Sequence, residues 1–254
     1  MQQSRNHVPV IQAVHNNAVW CDTICRTHGH AGEFLDGIWL TRHPAPPFYP
    51  NAVTLADSRA TAAQLASIRS LIAAGLPGPW AVKDSFGTLD LTPLGFGPLF
   101  EATWVGRPST LERSRADLPH LRWQKLHSAT ALAAWEAAWR GAPVDLADGI
   151  PPRIFLPPLL TDDTIAVVAA YHHDRIVAGA IANQTGEVIG LSNVFVSHPN
   201  DADVRAGCIA AVMDLFPPLP IVGYEAGDDL AAFLALGFQE LGPLRIWGRA
   251  RGAA

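Results

Sequence analysis

Charge is scarce in this chain. Asp, Glu, Lys and Arg make up 16% of its 254 residues, and no Lys/Arg cluster stands anywhere along it. A basic patch is the footprint of nucleic-acid binding, and its absence argues against such a partner, as do a net charge of −5 and an isoelectric point near 6.0. Long apolar runs are missing too. None approaches the roughly 20 residues that span a bilayer, and Met1 to Val10 lacks the apolar stretch of a secretory signal. Cysteine is rare, three in all, too few for a disulfide framework, so a reduced, cytoplasmic setting is expected. Low-complexity tracts are absent. Apolar residues, by contrast, reach 49%, and a disordered chain would carry fewer. They can fill the cores of two domains of roughly 100–150 residues each.

The chain also repeats itself. Asn51 to Arg107 returns, altered, as Asn193 to Arg249. Asn51-Ala-Val answers Asn193-Val-Phe, Leu76-Pro77 answers Leu219-Pro220, Gly95-Phe96 answers Gly237-Phe238, and Trp104-Val-Gly-Arg107 answers Trp247-Gly-Arg249, each pair 142 or 143 residues apart. A constant period implies a repeated architecture. We expect halves at 1–117 and 118–254. Residues present in both copies are expected to hold the fold, and residues present in one copy are better candidates for chemistry.

Periodicity predicts a helix over Val10–Thr27 ended by His28-Gly29, one strand within Glu33–Arg42, and a proline-rich loop over Pro44–Pro50. A strand at Val53–Ala56, a helix capped by Asp57 or Ser58 and stopped at Gly75, and strands at Trp80–Lys83 and Leu99–Val105 complete the first half. The second half reads as a helix at Ser128–Arg140, a proline-rich connection at Gly149–Pro158, and strands at Thr164–Tyr171, Arg175–Asn183 and Val188–Val196. A helix at Asp203–Leu215, a strand at Ile221–Tyr224, a helix at Asp228–Leu236 and a strand at Leu244–Trp247 follow. Strands linked by helices imply an α/β (α+β) fold, each half a mixed sheet flanked by helices.

From Gly186 to Arg249 the order strand, helix, strand, helix, Gly-Phe, strand resembles the GNAT acyltransferase superfamily. The segment Asp228-Asp-Leu-Ala-Ala-Phe-Leu-Ala-Leu-Gly237-Phe238 looks like that family's late helix running into its Gly-Phe turn. The whole then looks like two GNAT-like halves in tandem. The resemblance implies an acyltransferase that takes acetyl-CoA or another acyl-CoA in a V-shaped gap between Leu191–Val196 and Ile221–Tyr224. Val194, Phe195 and Val196 would line the thioester, and a backbone N–H there would steady an oxyanion. A helix N-terminus suits a pyrophosphate. The family's phosphate loop, [Gln/Arg]-x-x-Gly-x-[Gly/Ala], finds its nearest match in Arg205-Ala206-Gly207-Cys208-Ile-Ala210, where Cys208 replaces a glycine. Asp201 and Asp203 lie just ahead of it. The family's general-acid Tyr is Phe233 in the second half and Leu91 in the first. The acceptor would be an amine on a small molecule, an aminoacyl group or a peptide. The departures keep two alternatives open: a non-catalytic binding or scaffold protein, and an acyltransferase whose donor is carried by a protein or tRNA.

Asp84 and Glu225 both follow a central strand, where each is either a general base or a helix cap. Tyr224 occurs in one copy only, with Lys83 in its place in the other. It either supplies the missing proton or stands at a strand end with its hydroxyl in water. Trp20, Trp39, Phe48 and Tyr49 have no counterparts and either line an acceptor pocket or pack in the core. Cys21, Cys25 and His28 share one helix face with Val14 and Ala18. That face reads as core and not as zinc ligands, so no metal is expected. Asn51 and Asn193 read as bulge or turn residues.

Overall fold

The computed structural model describes residues 8–75, 79–110, 118–141, 152–198 and 201–250. The apolar stripe of Val10–Thr27 forms helix α1 over those residues, and Gly29 follows with φ 86°, the left-handed conformation expected of it. The single strand read in Glu33–Arg42 is instead a hairpin of β1 (Glu33–Leu35) and β2 (Ile38–Leu40). Asp36-Gly37 makes the turn, with Gly37 at φ 76°. An Asp-Gly pair between apolar residues is a strong hairpin signal, and here it prevails over the alternation.

Next come β3 (Ala52–Thr54), α2 (Thr61–Ala73), β4 (Trp80–Asp84) and β5 (Gly97–Arg107). Asp57 accepts from the Arg59 N–H in the tight turn that leads into α2. The edge strand β6 (Arg122–Lys125), which sequence reading passed over, precedes α3 (Ala129–Arg140). Ser128 caps α3 by accepting from the Ala131 N–H. Then follow β7 (Ile165–His172), β8 (Arg175–Thr185), β9 (Val188–Val196), α4 (Ala202–Met213), β10 (Ile221–Glu225), α5 (Gly227–Ala235) and β11 (Gln239–Arg249). Of the proline-rich connection read at Gly149–Pro158, residues 149–151 lie outside the described residues. Leu76-Pro77 does as well.

Among the described residues eleven strands join one mixed sheet in the order β1-β2-β3-β4-β11-β5-β10-β9-β8-β7-β6. Two neighbouring pairs are parallel, β3 with β4 and β9 with β10. At the centre, β5 runs antiparallel to β11 along most of its length. On its other side β5 pairs with β10 (Ile221 opposite Arg107), and β11 pairs with β4 (Arg249 opposite Trp80). The closing strand of each segment therefore lies against a strand of the other. The residues shared by both segments sit where packing needs them: Phe96 and Trp247 in one core, Phe238 in another, and Trp104 in a third with its indole N–H on the Ser85 carbonyl.

Alternate residues along each strand face opposite sides of a sheet. One side carries α1, seated on Trp104, Val188, Val222 and Ile246, and α3, seated on Val167, Ala169 and Ile181. The intervening residues Val168, Ala180, Ile189 and Ile221 meet α4 and Phe233 of α5 on the other side. Among the described residues no helix is long and apolar enough to cross a membrane.

The seat of α1 is narrow. Asn16 donates its amide to the Asn183 carbonyl at 3.0 Å directly over Gly190, where a Cβ would overlap the Asn16 carboxamide. Gly190→Ala should therefore cost about 1–3 kcal/mol of stability, measured by urea unfolding, because the helix must lift from the sheet. A change smaller than about 0.5 kcal/mol would mean that α1 shifts freely.

Candidate functional site

The parallel pair β9–β10 holds only at Ile221 opposite Ile189 and Val222 opposite Gly190. Beyond that point the strands diverge. Gly223 stands at the fork, where a Cβ would lie 2.9 Å from the Leu191 carbonyl oxygen, so glycine lets the strands come that close before they part. On its other edge β9 remains paired to β8 but slips register between Ser192 and Phe195. Asn193 takes φ 53° within that slip, the role expected of it. The bulge turns the strand. Past Gly190 the edge of β9 that faces the gap has no register partner on β10.

The other parallel pair has no such fork. Ala52 opposes Val82 and Val53 opposes Lys83, and the carboxyl ends are tied where the Ser85 N–H donates to Thr54 Oγ1 at 2.8 Å. Asn51 begins this strand with its own N–H on the Ala81 carbonyl, not at a bulge. Asp84 is fully buried and accepts from the N–H groups of Thr88 and Leu89. It closes a turn and does not reach the gap.

A cleft of 1710 Å³ opens from the fork. Leu191–Val194, Tyr224 and Glu225 line one end, and Asn17, Trp20 and Cys21 of α1 form a wall. The proline loop with Phe48 and Tyr49 lines it as well, as do Lys83 and the end of α3 at Trp139 and Arg140. Trp20 and Tyr49 meet edge to face at 6.4 Å. Burial pushes the Tyr49 phenol well above its usual range, so it stays protonated. Phe48 is 80% exposed at the mouth, its ring against Trp139.

Other residues singled out from the sequence lie elsewhere. Trp39 is fully buried under Gly32, with its indole N–H on Asp22 Oδ1 at 3.2 Å, and belongs to the core with Cys21, Cys25 and Val53. Burial pushes the Cys25 thiol up to about 12, as expected of core cysteines. Val194 lines the gap, but the Phe195 ring packs on Trp135 at 5.4 Å and Val196 packs in the core that α4 covers.

The segment Arg205-Ala206-Gly207 is helix interior, not an open loop. The Arg205 N–H donates to the Asp201 carbonyl, and its guanidinium is 4% exposed and pairs with Asp229 at 2.9 Å. Ala206 is buried, and Gly207 is pressed under Trp123. The cap of α4 is Asp201, whose carboxylate accepts from the Val204 N–H, with Asp203 beside it. A motif spacing cannot say which turn of a helix its residues occupy. Here the cap falls four residues before the arginine.

Glu225 stands at the tip of β10. Burial, and then the Asp229 carboxylate beside it, push its carboxyl up to about 8, against the opposing effect of Arg205. Tyr224 packs edge-on to Trp104 at 5.5 Å. Lys83 Nζ lies 4.3 Å from the centre of the Tyr224 ring and donates to Asn17 Oδ1 at 2.7 Å. Sequence reading gave Lys83 no role beyond standing in Tyr224's place in the other copy. Its signal was a lysine ending a buried strand at the position that Tyr224 fills in the other copy. Phe233, at the position of the family's acid, is buried against Phe238 and has no proton to give.

Behind the cleft wall, Glu136 is 2% exposed and takes four donors: Arg140, Arg153 and the N–H groups of Ile154 and Phe155, at 2.7–3.2 Å. Burial alone would raise its carboxyl, but these hydrogen bonds outweigh it and hold the group below the usual carboxylate range. The cluster fixes Arg140 and the end of α3.

No family model matches the chain, and no curated protein matches it. Solved structures do. A GCN5-related N-acetyltransferase from Kribbella flavida is 14% identical with a TM-score of 0.64, covering 96% of each chain. A GCN5-related N-acetyltransferase from Sphaerobacter thermophilus is 12% identical with a TM-score of 0.54, covering 98% of this chain and 96% of its own. A conserved protein of unknown function from Staphylococcus epidermidis is 10% identical with a TM-score of 0.57, covering 84% of each. The fold is GNAT-like across nearly the whole length of the chain.

Proposed function

We propose that the protein transfers an acyl group from an acyl-CoA thioester to the amine of a small acceptor, and that the chemistry occurs in the fork between β9 and β10. The fork carries the proposal. Past Gly190 the edge of β9 that faces the gap has no β10 partner, and such an edge suits the amides of a pantetheine arm. In this reading the protein is a tandem of two GNAT-like halves, 1–117 and 118–254, of which the second kept the fork and the first closed it with the Ser85–Thr54 bond.

Bound acyl-CoA would supply an acyl group activated as a thioester. Glu225 takes the proton that the acceptor's amine gives up as it attacks, directly or through a water, and a carboxyl titrating near 8 is well matched to that task. The Val194 backbone N–H donates to the oxygen where negative charge develops. Tyr224, which lines the cleft beside Glu225, would be the candidate proton donor to the departing thiolate, but a thiolate of pKa about 8.5 leaves with little help. Tyr224→Phe should accordingly lower kcat by less than about tenfold, read as thiol release against time. A loss of a hundredfold or more would make Tyr224 the essential acid.

Thermal shift with a panel of acyl-CoA species tests the donor. A ligand at 100 times its Kd adds about 2.7 kcal/mol of stability. No shift with any acyl-CoA, or with free CoA, would remove the cofactor from the proposal. A carrier-borne thioester is the second reading. It is favoured by the Asp201 and Asp203 carboxylates at the start of α4, where a diphosphate would meet like charge. It predicts turnover with a phosphopantetheinyl carrier thioester and none with acyl-CoA.

A further inference from the structure

We propose that Lys83 builds an anion subsite in the cleft, and that the acceptor is an amine with an apolar body and a carboxylate that this lysine receives. The inference rests on the acyl-transfer reading for the word acceptor, while the subsite itself rests on geometry. Lys83 is one of two lysines in a chain that has sixteen arginines. It is 3% exposed and lines the cleft from β4, with its ammonium against the Tyr224 ring.

Among the described residues no carboxylate is paired with it. Its ammonium donates to one neutral oxygen, Asn17 Oδ1, and sits over the face of a neutral ring, Tyr224. From α1 it meets Cys21, whose thiol burial pushes up and keeps protonated. The nearby guanidinium of Arg140 is held by Glu136. An ammonium has three N–H donors, and one is used. A buried charge is costly unless it is paired, so a site of this kind favours a ligand that brings the anion.

The surroundings narrow the ligand further. Trp20, Tyr49, Phe100 and Ile246 line the same cleft with apolar and aromatic surface. Lysine presents a compact charge on a flexible stem, suited to a single carboxylate at a wall that a guanidinium fork would overfill. An acceptor with an apolar or aromatic body satisfies both elements, its carboxylate at Lys83 and its side chain against the aromatic wall, with the amine toward the fork.

Calorimetric binding of N-acetyl-L-phenylalanine and N-acetyl-L-phenylalaninamide tests the subsite without turnover and with no amine to titrate. The acid should bind at least about tenfold tighter than the amide, the worth of one charged hydrogen bond. In Lys83→Met the ratio should fall to about one. Lys83→Gln is read the same way should the methionine variant not fold. Equal binding of acid and amide by the wild-type protein, binding of neither, or a preference that survives either variant would overturn the subsite. Tight binding of the acid without acyl transfer to any amine would uphold the subsite and remove the acyltransferase reading. Transfer to acidic and neutral amines alike would uphold the acyltransferase and remove the subsite.

Discussion

Glu225→Gln should lower kcat for amine acylation by about 10²–10⁴-fold, the usual contribution of a positioned general base. The pH profile identifies the group. In the wild-type protein the rate should climb with pH and level off above about 8, as the raised Glu225 carboxyl ionises. The variant should lack that limb. An acceptor amine with a pKa well below 8 keeps its own titration apart from the one being read.

Stability should move in the opposite direction. Unfolded, the carboxyl ionises near 4.3. Folded, it holds its proton to about 8. Between those values the unfolded chain binds fewer protons, so stability falls as pH rises through the window. Glu225→Gln removes that loss and should melt above the wild-type protein at pH 8, a gain of stability bought with activity. A variant that keeps its rate, or its upper limb, would take Glu225 out of the chemistry.

Glu136→Ala should cost about 3–5 kcal/mol in urea unfolding, because it leaves two guanidinium groups and two backbone N–H groups without their acceptor. Glu136→Gln, which keeps an acceptor oxygen, should cost less. The sign of the pH effect is the reverse of that at Glu225. The folded carboxyl is held below its unfolded value, so its contribution is complete above about 4.3 and fades as pH falls below that. The wild-type protein should lose stability in acid faster than Glu136→Ala does. If both variants unfold within 1 kcal/mol of wild type, the buried cluster is not what fixes the wall of the cleft at Arg140.

The regular elements were legible wherever an apolar pattern ran unbroken. Helix Val10–Thr27 and strand Val188–Val196 have the boundaries that periodicity set. Strand β6 was not legible, because Arg122 and Gln124 face outward and no apolar run marks it. The strands that frame the cleft could be placed from their order, but the fork itself could not. It depends on Gly223 passing the Leu191 carbonyl and on the slip at Asn193, both consequences of pairing between distant strands. The repeat equated Asn51 with Asn193, yet one begins an ordinary strand and the other takes a left-handed conformation. Trp20 and Trp39 looked alike as unmatched tryptophans. Both are buried, but Trp20 also lines the cleft while Trp39 sinks beneath Gly32, and no spacing announces either contact.

The exchange of closing strands has a bearing on how the protein is made. Strand β4 has β11 as its neighbour, and β11 emerges from the ribosome roughly 160 residues later, at 5–20 residues per second a delay of roughly 8–32 s. For that interval one edge of β4 lacks its native partner, and unpaired strand edges are where chains join wrongly. The nascent first half is therefore the stage at which a chaperone holdase or slower growth would help most, and yield on expression should respond to temperature more steeply than the stability of the finished protein does.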